Sequence, residues 1–402
     1  MIQHTAKDDI CNEPLFSSPI HVDFDITNAC NLACSHCHAA SGKRLNDELN
    51  TEEIINIISQ LQYSGVIDLT IAGGEPFLRP DIIDILSHAQ SCNGLYTTVV
   101  TNGTLLKTDI IQELSVCCPD IGINISIDGS TPDKLDILRH RKNRDQKRKK
   151  ILFSQIIKGA KYVSNADLPL GISFVMSDLN VDELESVYRL AIEKLGALSV
   201  TAIRFFPAGY GINHLNELEL KYKRWEQIIL QLTKNHEKFK KLTISVSAPW
   251  EIYLPLISNG YSPEEISDIW GYRSTLMDSM YSSNYQTADA SGIGDLNISG
   301  NGLVYPSVLM SRNNRVLCGD LRKNTINEIW YNSSTLKKIR KIQISDIGYP
   351  CNTCEISKLC GGGSRSRALA ITNDLKGLDF WCPIVSEVNN RRKFDNVLFT
   401  QK

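Results

Sequence analysis

The sequence predicts an α/β fold built on a parallel sheet and followed by a small cysteine-rich domain. Two observations predict it. Between about residues 20 and 210, six short strand patterns alternate with helical patterns. Near the end of the chain the cysteines Cys351, Cys354, Cys360 and Cys382 crowd together. Strand-then-helix units imply parallel pairing through right-handed crossovers. A doubly wound sheet and a partial barrel both satisfy the pattern. Both put their chemistry at the C-terminal ends of the strands.

The elements follow in order. His21–Ile26 alternates Val22, Phe24 and Ile26 with polar residues, as a strand does. Thr51–Tyr63 carries Ile54, Ile55, Ile58 and Leu61 at helical spacing. Val66–Ala72 is a short apolar strand that ends in Gly73-Gly74, and Asp81–Ala89 is helical. Tyr96–Val100 is rich in β-formers and stops at Asn102-Gly103; Thr108–Val116 is helical. Ile121–Ile127 is closed by Asp128-Gly129. Helices at Ser154–Val163 and Val181–Leu195 flank the strand Gly171–Met176. Ser199–Phe206 is the sixth strand, stopped by Pro207. Glu217–Leu232 reads as one long helix, and Gly292–Pro306 as a hairpin turning at Asn301-Gly302. Residues 245–290 give no clear period. The basic run His140–Lys150 reads as a solvated loop or helix face.

Composition narrows the class. The 402 residues suggest two or three domains, and 42% hydrophobic with 22% charged residues is an ordinary globular balance. With 43 Lys+Arg against 45 Asp+Glu, the net charge of −2 argues against a chain-wide nucleic-acid surface. No apolar run approaches the roughly 18 residues of a membrane span. Met1 to Asp9 shows no basic-then-apolar leader, so the expected location is the cytoplasm. In a reducing compartment, the 12 cysteines are expected as metal ligands more than as disulfides.

Cys30, Cys34 and Cys37 form a Cys-x3-Cys-x2-Cys group directly after the first strand. Three thiolates so close can wrap one face of a metal centre. Zinc would ask for a fourth ligand, with His36 and His38 at hand. A four-iron cubane held by three cysteines would keep one iron open for substrate or cofactor.

This spacing, in this loop, resembles the radical S-adenosylmethionine (SAM) superfamily. Gly73-Gly74-Glu75-Pro76 ends the second strand, where that family binds the methionine amine of SAM. Thr101-Asn102-Gly103 and Ser126-Ile127-Asp128-Gly129 resemble its segments beside the ribose and carboxylate. Asp136-Ile-Leu-Arg139 resembles an element whose Arg meets the SAM carboxylate. An aromatic residue often precedes the third cysteine, where this chain has His36. The resemblance implies a partial (βα)6 barrel of the radical SAM type with a small iron–sulfur domain. It also implies a [4Fe–4S] cluster on Cys30, Cys34 and Cys37. Gly73, Gly74, Glu75, Asn102, Ser126, Asp128 and Arg139 are then the SAM-binding residues.

Cys351-x2-Cys354-x5-Cys360-x21-Cys382 offers a four-thiolate site for zinc or for a fully ligated cluster. The segment resembles the SPASM extension of radical SAM enzymes, which carries auxiliary clusters. Its fuller pattern has seven cysteines and two such clusters. Here Ser307 and Ser364 stand where two of those cysteines belong, and residues 275–291, just before the hairpin, hold no cysteine. The resemblance therefore implies one auxiliary [4Fe–4S] cluster, with Cys318 free. Cys360-Gly-Gly-Gly-Ser-Arg365-Ser-Arg367 also resembles members that modify tetrapyrrole side chains. Arg365 and Arg367 are offered either to a substrate carboxylate or, as favoured, to the negative charge of the cluster.

The divisions expected are an extension at 1–19, the radical SAM core at 20–235, a bridging region at 236–290 and the auxiliary-cluster domain at 291–402. A deoxyadenosyl radical would take hydrogen from the substrate, and the auxiliary cluster would accept an electron, giving net oxidation. The family implies a ribosomally made peptide or a protein side chain as substrate. The alternative is oxidative change of a tetrapyrrole or another small molecule. A zinc-stabilised binding protein is the reading from a different class. A flavodoxin or ferredoxin would supply electrons, and neither nucleic acid nor membrane is an expected partner.

Overall fold

The computed structural model describes residues 14–142, 145–271, 287 and 289–388. The first thirteen residues of the expected extension lie outside the described residues. Seven strands follow in parallel: β1 (His21–Thr27), β2 (Asp68–Gly73), β3 (Tyr96–Thr101), β4 (Gly122–Ser126), β5 (Leu170–Met176), β6 (Ser199–Arg204) and β7 (Leu242–Ser245). The chain then returns to its beginning. β8 (Asp295–Ile298) pairs in parallel with the free edge of β1. It turns at Asn301-Gly302 into antiparallel β9 (Leu303–Tyr305), and β10 (Gly319–Asp320) lies outermost.

Among the helices are α1 (Thr51–Ser64), α2 (Ile82–Ser91), α3 (Thr108–Cys117), α4 (Gln146–Asn165), α5 (Leu184–Arg189), α6 (Tyr222–Lys234), α7 (Trp250–Ile257) and, in the cysteine-rich region, α8 (Arg365–Thr372). Sequence sets their ends. Asn50 and Glu53 form a reciprocal cap at the start of α1, and Gly65 closes it in the left-handed conformation.

The period of two on β1 sorts its side chains. Val22, Phe24 and Ile26 are wholly buried in a core shared with Ile54, Ile58 and Leu61 of α1. Asp23, Asp25 and Thr27 alternate with them and point to the other face. That inner face is polar elsewhere too: Ser173 of β5 donates to Asn124 of β4 at 2.7 Å. The sheet curls, so that Asp23 of β1 and residues 246–249 beyond β7 line one cavity. The architecture is the α/β partial barrel expected, with a cysteine-rich C-terminal region.

Two details differ from expectation. Leu242–Ser245 is too short to show alternation, yet it forms β7. The helix expected at Glu217–Leu232 is two pieces, Leu215–Leu218 and α6, separated by extended backbone. The break lets the Leu220 carbonyl accept from buried Arg204 at 2.9 Å.

Candidate active site and cluster sites

The loop after β1 carries Cys30, Cys34 and Cys37. Its base is closed by hydrogen bonds from Cys30 N to Gly42 O (3.0 Å) and from Gly42 N to Asn28 O (2.9 Å). Its middle is strapped to the segment after β4, with Ala33 N donating to His140 O (2.7 Å) and Ser35 N to Leu138 O (3.0 Å). Tyr210 N donates to Cys37 O at 2.9 Å. Gly209, at φ 53°, packs so tightly that a Cβ would collide with the carbonyls of Cys37 and His38.

The thiols are donor-rich and shielded. Amides of Leu32 and Ser41 lie 3.5 Å from the sulfurs of Cys30 and Cys37, and Arg139 Nη1 is 3.7 Å from that of Cys34. Burial pushes the Cys30 thiol up and the Cys34 thiol up to about 12, with Arg139 partly opposing it. Such thiols stay protonated until a metal displaces the proton. Among the described residues, no three Cys, His, Asp or Glu side chains close on a point that one ion would fill.

The ends of the next strands wall this loop. The amides of Gly74 and Glu75 donate to the carbonyls of Thr27 and Ala29 at 2.7 and 2.8 Å. A Cβ on Gly74 would strike the Ala29 carbonyl. Glu75 is wholly buried and accepts from Thr101 Oγ1 (2.6 Å), Asn102 N (2.8 Å) and Phe77 N (3.2 Å). These bonds use three of the roughly four acceptor positions on its carboxylate and leave one on Oε2. Asn102 Nδ2 donates to Asn31 within the cysteine loop at 2.9 Å. Asp128 accepts from Arg139 Nε (2.9 Å) and Val175 N (2.9 Å). His36 Nε2 lies 3.5 Å from Asp128, and burial lowers its pKa to about 4, so the ring is neutral. His36 Nδ1 is buried without a hydrogen-bond partner beside the cysteine loop, which suits a bound cofactor. Ser126, half-buried, ends β4 on the inner face.

The second cysteine group converges. Cys351, Cys354, Cys360 and Cys382 line one small cavity with Trp250, Pro350 and Gly362. Burial pushes Cys351 up to about 11, Cys382 up to about 12 and Cys360 further up. Backbone amides of Ile384 and Val385 reach Cys382, and that of Gly363 reaches Cys360. Such donors suit the sulfurs of a cluster.

Arg365 and Arg367 are 1% and 0% exposed, so neither reaches a substrate carboxylate. Arg365 donates to the carbonyls of Gly362, Leu375 and Gly377 and holds the glycine turn. Arg367 forks onto Asp379, with Nε and Nη2 each 2.7 Å from its oxygens, and reaches Glu251 at 3.0 Å. Glu251 in turn holds Arg204 of β6 at 2.7 Å. Two cations and two anions thus form a buried chain from the barrel to the cysteine-rich region. Trp225, Trp250 and Trp381 pack on the Arg204 guanidinium at 4.7–5.5 Å. Nothing in a single charged residue reveals its partner, and here the partners stand 47, 116 and 12 positions apart, which is why Arg204, Glu251 and Asp379 could not be singled out from sequence.

Ser307 and Ser364 line a common cavity of about 230 Å³ with Ser291 and Ser366. Ser291 Oγ donates to Ser307 Oγ at 2.9 Å and lies 3.1 Å from Ser366 Oγ. Ser307 is thus bonded to another buried hydroxyl, whereas Ser364 Oγ accepts from Arg367 N at 3.1 Å and caps α8.

The sequence matches the radical SAM superfamily model over residues 24–191. It matches the SPASM model, an iron–sulfur cluster-binding domain, over residues 291–355. It is 28% identical over 371 residues to an AdoMet-dependent heme synthase of Methanosarcina barkeri, covering 91% of this chain and 97% of that one. A PqqA peptide cyclase of Rhizobium meliloti is 26% identical over 375 residues, with 92% and 88% covered. The fold resembles Streptococcus suis SuiB bound to its precursor peptide SuiA. The TM-score is 0.71 at 18% identity, over 94% of this chain and 78% of that one.

Proposed function

The chain is a radical SAM superfamily enzyme with a SPASM iron–sulfur domain, and on that premise we propose that Cys30, Cys34 and Cys37 hold a [4Fe–4S] cluster whose open iron binds SAM. The observation that carries this reading is the strapped cysteine loop at the C-terminal end of β1, walled by the ends of β2, β3 and β4. When bound, the cluster would supply the electron that breaks a C–S bond of SAM, giving methionine and a 5′-deoxyadenosyl radical that would take a hydrogen atom from the substrate. The chain's own residues orient the parts. Gly73 and Gly74 let backbone approach the cofactor. Glu75 fixes the β2 and β3 loops against each other. Asn102 and Ser126 offer polar groups beside them. Arg139, steadied by Asp128, presents positive charge for the SAM carboxylate.

Cys351, Cys354, Cys360 and Cys382 hold one auxiliary [4Fe–4S] cluster in this reading. With four protein ligands it is suited to accepting an electron, which makes the overall change an oxidation, such as crosslinking, desaturation or oxidative decarboxylation. The substrate is a ribosomally made peptide or a protein side chain. Likeness to a peptide cyclase over 92% of the chain supports this. So does the burial of Arg365 and Arg367, which leaves them out of reach of a carboxylate. A second reading, modification of a tetrapyrrole, is favoured by likeness to a heme synthase over 91% of the chain. A small redox protein such as a flavodoxin or ferredoxin supplies electrons.

The reading is tested by anaerobic reconstitution with iron, sulfide, SAM and dithionite, measuring 5′-deoxyadenosine. None formed would overturn it. Mass spectrometry then separates the substrates: loss of hydrogens from a peptide encoded beside the gene supports the first, and loss of carbon dioxide from a porphyrin supports the second.

A further inference from the structure

The electron that begins the reaction enters from outside the chain. Cys30 is only half-buried and lies in the floor of a cavity of about 610 Å³, which it shares with Leu32, Arg141, Lys142, Arg148 and Ile151. The cavity is thus lined by one of the residues proposed to hold the first cluster. Three of its lining residues, Arg141, Lys142 and Arg148, belong to the basic run. Between His140 and Lys150 the sequence has seven Lys and Arg residues against the single acid Asp145. Some of this charge is answered locally: Arg148 meets Asp145 at 3.2 Å, and Lys149 meets Asp136 and Asp133 at 3.3 and 3.6 Å. Arg141 donates to the neutral Gln155. Lys142 and Arg148 remain exposed, so the wall keeps a positive surplus. Ile151, 43% exposed, adds an apolar spot. The wall is also tied to the floor. The two backbone bonds that strap Ala33 and Ser35 to His140 and Leu138 make the start of the basic run and the cysteine loop one unit.

We propose that this groove docks the acidic face of a small electron-carrying protein, so that its cofactor faces Cys30. The proposal rests on the assignment of the first cluster to Cys30, Cys34 and Cys37. One electron leaves the reduced carrier and enters the cluster; no bond is made or broken at the groove. A rim of like charge beside a half-buried ligand speeds encounter with an oppositely charged partner and suppresses others. Position makes this charge more than a solvated face: the same residues on another side of the barrel would lie far from any redox centre.

The test compares two reductants on the reconstituted full-length enzyme. Lys142→Glu with Arg148→Glu should lower deoxyadenosine formation driven by reduced flavodoxin by about tenfold or more. The rate driven by dithionite should stay within about twofold, since a small reductant needs no docking site. Calorimetric binding of flavodoxin, measured without turnover, should weaken in parallel and lose most of its salt dependence. The milder pair Lys142→Gln with Arg148→Gln should fall between. Undiminished flavodoxin binding, or an equal loss with both reductants, overturns the proposal. Failure of the cluster assignment looks different: the wild type would then make no deoxyadenosine even with dithionite.

Discussion

Glu75 shows how much one side chain does near the cysteine loop. It accepts three hydrogen bonds, from Thr101, Asn102 and Phe77, and none of these groups meets water. Glu75→Ala orphans the buried Asn102 amide, a cost of about 1–3 kcal/mol, and frees the β2 and β3 loops from each other. SAM binding should weaken about tenfold or more while the iron held by Cys30, Cys34 and Cys37 is retained. Anaerobic equilibrium dialysis with an iron assay checks this, and unchanged affinity would remove Glu75 from the site. The sequence marked Glu75 because the Gly-Gly-Glu-Pro string is local. It did not reveal that Glu75 is occupied by Thr101 and Asn102, because hydrogen bonds between loops leave no trace in spacing. The same holds for Ser291, which meets Ser307 and Ser366 only in the folded chain.

Among the elements, the segment after β6 has a clear dependence on one residue. Gly209 sits at φ 53° against the carbonyls of Cys37 and His38, and Tyr210 N holds Cys37 O. Gly209→Ala brings both left-handed strain, about 1 kcal/mol, and a collision that pushes Cys37 away. Iron bound at the first site should fall by half or more, with the visible absorbance of the second site kept; full retention at both would show that the loop yields freely. Strands β1 to β6 were legible because five to seven residues suffice to show alternation or an apolar run. β7 was not, having four. The interruption before α6 was hidden as well. It leaves the Leu220 carbonyl to Arg204, a residue of β6 that the local pattern does not point to.

At the scale of the whole molecule, barrel and cysteine-rich region are joined by charge and by sheet. The buried chain Arg204–Glu251–Arg367–Asp379 ties them through α7, and removing one member leaves a buried charge unpaired, at about 3–5 kcal/mol. On the proposed assignment of two clusters, the wild type should bind about eight irons, four per cubane. Replacing Cys30, Cys34 and Cys37 with Ala should leave about four irons and abolish SAM cleavage. Replacing Cys351, Cys354 and Cys360 should also leave about four, with some uncoupled cleavage. Ser307→Ala with Ser364→Ala should not change the count, since hydroxyls are poor ligands for a soft cluster. About twelve irons, falling in that serine variant, would reveal another auxiliary cluster.

The sheet joint has a consequence for how the protein is made. His21 leaves the ribosome roughly 270 residues before its neighbour in the sheet, Asp295. At about 5–20 residues per second, β1 waits some tens of seconds with one edge bare. A bare edge invites pairing with the wrong chain, and inward-pointing charges discourage it. Asp23 and Asp25 lie on that strand, so the acids facing the barrel interior also guard the nascent edge until β8 arrives.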